Sequence, residues 1–296
     1  MPSYFNPTGV WPGWVRICEF LDEQYDQSKN ITATKLAQPP QLVALQHRHW
    51  NQIRLNVCME ADRILGNAAH WLMARAAGPN DVAEQRMFMT VDEMTIPFRP
   101  DLLVHEGNDV FSLHDGKVTK TWAVRLGGKD EWTMQLNIYA YGCRQKGMKI
   151  SRLWIEFLLK DWERLGPIRE PGRYPEYPLD RLEVEDWGSE TTEKIIRNRL
   201  GLHAKVADIP DVQLPECTIS ERWGTQARWA VVGASGKALP KKANFGSRQE
   251  AEAAALVSTK PNSVEFRPGE NKRCEHYCTV RDFCHQYQKL IQQAPI

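Results

Sequence analysis

The chain has 296 residues and a mass of 34.1 kDa, enough for one large domain or a domain with an appendage. Hydrophobic residues make up 42% and charged residues 25%, which excludes a disordered, collagen-like or small disulfide-scaffold chain. The formal charge of +1 predicts neither nucleic-acid nor membrane binding by itself. No apolar run reaches the ~20 residues of a membrane span, and the first twenty residues lack a secretory pattern. A cytoplasmic protein is expected, in a bacterial or phage-infected cell. The seven cysteines are an odd number, and three of them fall within residues 274–284. Without a secretory signal, they read as metal ligands or reactive thiols before disulfides.

In chain order, residues 1–40 are irregular, because prolines at 2, 7, 12, 39 and 40 break long helices. A short helix is expected over Trp14–Glu23. A longer one runs from Gln41 to Ala77, with Leu45, Ile53, Val57, Ile64, Leu65, Ala69 and Leu72 at three- and four-residue steps. Gly66 is a candidate break in it. Three strands are expected next, over Arg86–Val91, Met94–Val104 and Asp109–Trp122, with Gly107-Asn108 as a turn. A helix over Asp130–Gln145 and a strand over Ser151–Leu159 complete an α/β arrangement, a mixed sheet flanked by helices. Residues 160–185 are proline-rich, and a helix is expected over Glu190–Leu200. The expected organisation is an N-terminal segment (1–40), a core (41–160), a connecting region (161–226) and a small C-terminal unit (227–296). In that unit Arg228–Val232 reads as a strand, and Ser247 with Glu250 as a capping box. From Gln226 onward there are 11 Lys and Arg against 6 Asp and Glu, leaving 27 against 31 for the rest. The neutral total therefore hides a basic C-terminal third.

The chemistry gathers in the middle. One strand runs into Pro100-Asp101, and fourteen residues after Asp101 the next strand carries Asp115-Gly116-Lys117. Asp115 and Lys117 are two apart and share a strand face. Two carboxylates suit Mg²⁺ or Mn²⁺; such a cation polarises a phosphodiester, and a lysine beside it offsets developing negative charge. His70, on the long helix, adds a nitrogen ligand that tilts the preference toward Mn²⁺. Gln135 and Tyr139, at i and i+4, share one helical face.

Together these residues resemble the PD-(D/E)XK nucleases, and more narrowly their RecB-like exonuclease branch. That branch has Gly-x-x-x-His before the strands, here Gly66 and His70, and Gln-x-x-x-Tyr after them, here Gln135 and Tyr139. The resemblance covers residues 40–160 and the C-terminal cysteines. It implies a restriction-endonuclease-like core and metal-dependent cleavage of DNA, single-stranded or at duplex ends. It further implies His70, Asp101, Asp115 and the Val118 carbonyl as metal ligands. Lys117 would position the water, with Gln135 and Tyr139 supporting the site. A recombination or helicase partner is compatible with it. An endonuclease of the same fold, or a non-catalytic DNA-binding scaffold, stands as the alternative.

Cys274, Cys278 and Cys284 are similar to the C-terminal half of the iron–sulfur clasp in AddB-type and CRISPR-adaptation nucleases. Either a [4Fe–4S] cluster or zinc is expected. The fourth ligand is open between Cys18 and Cys58, with His276 or His285 as zinc alternatives. Cys143 and Cys217, isolated in sequence, read as structural. Trp122, Trp132 and Trp162 are candidates for base stacking, though packing explains most tryptophans equally well. Lys120 is near enough to touch phosphate. Lys237, Lys241, Lys242 and Arg248 form a candidate phosphate track.

Overall fold

In the computed structural model the N-terminal stretch forms β1 (Ser3–Phe5) and α1 (Gly13–Glu23), then α2 (Ala33–Ala37) and α3 (Pro40–His49). The long helix expected over Gln41–Ala77 is interrupted. Between α3 and α4 (Ala61–Ala76) lies β2 (Arg54–Asn56), which pairs in parallel with β1. That partner is some fifty residues away, so the local apolar spacing could not reveal it; tertiary pairing overrides propensity. Gly66 breaks nothing, because α4 runs through it. The structure describes residues 1–23, 31–233, 235–236, 238, 244–258 and 261–292.

The strands follow as β3 (Val82–Ala83), β4 (Met87–Val91), β5 (Met94–Phe98), β6 (Leu102–Gly107) and β7 (Val110–Thr119). The single strand expected over Met94–Val104 is therefore two. Pro100 lacks a backbone donor, and the ladder stops there; β5 folds back on β4, while β6 enters a different sheet. The hairpin joining β6 to β7 turns at Asn108 and Asp109, at φ +50° and +59°. Positive φ at both central residues matches the twist of the flanking strands. β7 ends earlier than expected, and α5 (Thr121–Arg125) follows it.

Next come α6 (Asp130–Gln145), β8 (Lys149–Leu159), α7 (Gly166–Arg169), β9 (Leu179–Val184) and α8 (Gly188–Lys205). The main sheet has the order β3-β6-β7-β8-β9. β7 and β8 are parallel and the other neighbours antiparallel, so α6 is the crossover a parallel pair requires. One face of β8 buries Leu153, Ile155, Phe157 and Leu159 against Leu136, Ile138, Ala140 and Cys143 of α6. The result is a mixed α/β fold with helices flanking a mixed sheet.

β9 and α8 fall in the expected connecting region but belong to the core. The tie is Asn137, fully buried on α6. Its Nδ2 donates to the Glu185 carbonyl at 3.0 Å, and its Oδ1 accepts from the Trp187 amide at 2.8 Å. The first unit accordingly runs from Met1 to Ile209 and the second from Pro210 to Ile296, not from residue 227. The second holds β10 (Arg228–Gly233), β11 (Asn244–Phe245), α9 (Arg248–Leu256), β12 (Asn262–Arg267) and α10 (His285–Gln292). Its three strands form an antiparallel sheet in the order β11-β10-β12. Ser247 and Glu250 close the expected capping box on α9. Among the described residues no helix is long and apolar enough to cross a membrane.

Candidate active site

Where β6 and β7 part, the β7 edge turned away from β8 has no strand partner among the described residues from Asp115 onward. Asp101, just before β6, fills that edge: its Oδ2 accepts the Gly116 amide at 2.8 Å. Across from it, α4 brings His70 Nε2 to 2.9 Å from the Gly116 carbonyl and 3.4 Å from Asp101 Oδ2. The helix comes this close because residue 116 is glycine. A Cβ there would stand 2.4 Å from Met73 Sδ and 3.5 Å from His70 Cδ2.

Asp115 and Lys117 point to the opposite face, toward α6, and form an ion pair. Gln135 Nε2 donates to Asp115 Oδ1 and to the Tyr139 hydroxyl, both at 3.1 Å. The Tyr139 hydroxyl also meets Thr34 Oγ1 at 3.1 Å. The six expected residues, His70, Asp101, Asp115, Lys117, Gln135 and Tyr139, are thus brought together. One expectation moves. The backbone oxygen at His70 is that of Gly116, not Val118, which lies two residues, ~6.6 Å of strand rise, farther along β7.

The electrostatics are those of a site short of positive charge. Burial pushes the Asp115 carboxyl up to about 6, against the opposing pull of Lys117, and the Asp101 charge adds to the rise. Burial works against the Lys117 ammonium, yet Asp115 and Asp101 outweigh it and raise its pKa. Burial also raises Tyr139, so it stays a neutral hydroxyl. Asp115 Oδ2 is buried, and among the described side chains only Lys117 answers it. The donors gathered at the free edge of β7 are the His70 imidazole, the Asp101 carboxylate and the Gly116 carbonyl, nitrogen and oxygen atoms of the kind a divalent cation takes, while Asp115 stands on the other face and does not join that group.

One residue of the site has no counterpart in the expected pattern. Glu84, just after β3, joins His70 and Asp101 as a group whose ligand atoms all lie within 4.8 Å of one another. It follows no motif spacing, so nothing in the sequence marked it.

The tryptophans divide. Trp132 packs on Phe157, and Trp162 donates its indole N–H to the Pro175 carbonyl, which are structural roles. Trp122 stays more than half exposed at the start of α5. Lys120 is the N-cap of α5 and exposed. Arg248 pairs with Glu252 and lies over the Trp229 ring. Lys237, Lys241 and Lys242 lie outside the described residues.

In the second unit Cys274 lies on a wide helical turn (Arg273–Tyr277), Cys278 just after it, and Cys284 directly before α10. The thiol that feels the charges of all three is Cys217. Burial raises Cys217 to about 12, and the charges of Cys284, Cys274 and Cys278 each add to that rise. Burial and the neighbouring thiols likewise lift Cys274 to about 11. Gln286, buried on α10, fixes Cys217 from both sides: its Oε1 accepts the Cys217 amide and its Nε2 donates to the Cys217 carbonyl, both at 2.9 Å. The Cys278 sulfur accepts the Val280 amide, and the Cys284 sulfur accepts those of Tyr287 and Gln286. Cys18 is instead buried beside Glu60, Arg63 and Asp22, and Cys58 meets the Thr8 hydroxyl. Nothing in the sequence marked Cys217, because 56 residues, including β10 to β12, lie between it and Cys274. Cys143 is structural as expected, fully buried in the core of the first unit. The His276 side chain is largely exposed against Tyr277.

No family profile matches this chain, and no curated protein matches it. Among solved structures it is similar to that of SSO0001, at 16% identity and a TM-score of 0.45, over 64% of this chain and 84% of that one.

Proposed function

We propose that this chain is a divalent-metal-dependent nuclease of the PD-(D/E)XK type, of RecB-like character, acting as an exonuclease on DNA. The observation that carries the reading is the meeting of His70 Nε2, Asp101 and the Gly116 carbonyl at the free edge of β7, with the Asp115–Lys117 pair on the same three residues. His70, Asp101 and the Gly116 carbonyl would hold Mg²⁺ or Mn²⁺. Bound there, the cation supplies Lewis acidity toward a phosphodiester.

The chain's own residues do the rest. Gln135 fixes the Asp115 carboxylate from α6, and Tyr139 fixes Gln135. Lys117 keeps its proton and holds positive charge at the end of the site, where it orients water and balances charge that builds on phosphate oxygen. Exposure at His70 and Glu84 leaves one side open to a polymer end. The test is digestion of end-labelled linear DNA with Mg²⁺, Mn²⁺ or chelator, beside Lys117→Ala. Cleavage should need the cation and fall about 10²–10³-fold in the variant. A closed circular substrate should survive; its cleavage would make the protein an endonuclease. Wild type inert on every linear end would favour a non-catalytic DNA-binding scaffold.

We further propose that Cys217, Cys274, Cys278 and Cys284 hold a [4Fe–4S] cluster. Amide donors on the Cys278 and Cys284 sulfurs suit thiolates in a cluster. Protein purified without oxygen should absorb near ~400 nm, where iron–sulfur charge transfer falls. A colourless protein with zinc in stoichiometric amount would replace iron with zinc in this reading.

A further inference from the structure

Glu84 is held in an uncommon backbone conformation, φ +51°, in the left-handed region that a glutamate enters at a cost. Three contacts explain what it does there. Its amide donates to the Asp101 carbonyl at 3.1 Å. Its Oε2 pairs with Arg99 Nε at 3.0 Å. Its Oε1 faces His70 Nδ1 at 3.7 Å. Arg99 thus occupies one carboxylate oxygen and leaves the other turned toward the imidazole. The two His70 nitrogens are divided, Nε2 toward Asp101 and the Gly116 carbonyl, Nδ1 toward Glu84.

We infer that Glu84 is the positioning residue for His70, the carboxylate that accepts a hydrogen bond from Nδ1–H once a cation, rather than a proton shared with the Gly116 carbonyl, takes the Nε2 lone pair. An imidazole that binds metal through one nitrogen donates its other N–H to a carboxylate or carbonyl, which fixes the tautomer and ring orientation and raises ligand basicity. The small contraction needed at Nδ1 is within the reach of a half-exposed side chain. Arg99 in turn holds the carboxylate in place through its Nε. The same short loop carries Arg99, Pro100 and the ligand Asp101, so cation binding and the Glu84 contact share one anchor.

The inference rests on the reading of His70 and Asp101 as cation ligands, and the test separates the two. Mn²⁺ binding to the full chain is measured without DNA, by the loss of the free-ion paramagnetic signal. Unfolding temperatures are taken in chelator. Asp101→Asn should abolish Mn²⁺ binding; if it binds as wild type does, the cation-site reading itself fails. Glu84→Gly should weaken Mn²⁺ binding by about 10–100-fold. Because glycine accepts positive φ freely, it should unfold in chelator at the same temperature or higher. Glu84→Gln keeps an acceptor for Nδ1–H and should lose only a few-fold. Three outcomes overturn the inference. They are wild-type Mn²⁺ affinity in Glu84→Gly, a Gln variant as weak as the Gly variant, or a Gly variant that unfolds well below wild type.

Discussion

The carboxylate site of the first unit and the thiol site of the second meet the same electrostatic problem in opposite ways. Asp101 and Asp115 are buried like charges, and the chain supplies its own counter-charge in Lys117. The four thiols also feel one another's charge, but Arg222, Arg273 and Arg281 pull the pKa values of Cys274, Cys278 and Cys284 down without overcoming burial, and the thiols stay protonated. A site with an internal cation can persist in folded form without metal. A site whose ligands must all lose protons at once draws its order from the metal that displaces them.

The largest expected effect breaks that contrast at its weaker side. Cys217→Ser should remove most of the bound metal and unfold the second unit, since binding free energy at such sites is about 10 kcal/mol or more and doubles as folding free energy. Cys58→Ser should leave the metal content unchanged. Cys18→Ser, at a fully buried position, should lower stability with no loss of metal. Metal analysis beside thermal unfolding reads all three, and full metal content in Cys217→Ser would return the fourth corner to another residue.

The two sites were also unequally legible. His70, Asp101, Asp115, Lys117, Gln135 and Tyr139 each sit on or beside an element whose local pattern could be read, so their order along the chain became a site. Cys217 had no such help, because the three thiols whose charges it feels lie beyond an inserted sheet and helix. Glu84 is placed by a backbone conformation and by Arg99, neither of which leaves a spacing. That His70 meets the Gly116 carbonyl rather than that of Val118 depends on where β6 releases the edge of β7, which tertiary pairing sets. Asn137 was silent for a related reason. Its partners, Glu185 and Trp187, are backbone groups almost fifty residues away.

An effect of intermediate size tests the internal counter-charge. In metal-free protein Asp115 titrates near 6 rather than at its ordinary 3.8, so the folded state holds this proton more tightly than the unfolded one. The stability it contributes is complete below pH ~4 and is lost as pH rises through 6. Lys117 stays protonated across that window and adds no slope. Between pH 4 and 7 in chelator, wild type should lose about 1–3 kcal/mol relative to Asp115→Asn. Denaturant unfolding of both proteins at several pH values measures the difference. Parallel profiles would mean that Lys117 neutralises Asp115 fully, and the first site would then have no charge deficit for a cation to fill.

The smallest effect concerns how tightly α4 is seated on β7. In Gly116→Ala the new methyl would meet the Met73 sulfur at 2.4 Å and the His70 ring at 3.5 Å. The thioether is the flexible part of a half-buried side chain and can swing aside, so the stability cost should be about 1 kcal/mol, at the low end for overpacking. The imidazole has less freedom, because its two nitrogens are committed to opposite partners. Metal affinity should therefore fall more than stability does. Met73→Ala in the same chain should recover the stability but not the affinity, a pattern that a double-mutant cycle resolves. If both recover together, the glycine serves only the packing of α4. If neither changes, the seat is looser than the 2.9 Å contact between His70 Nε2 and the Gly116 carbonyl implies, and the first site would share the second's dependence on metal for its order.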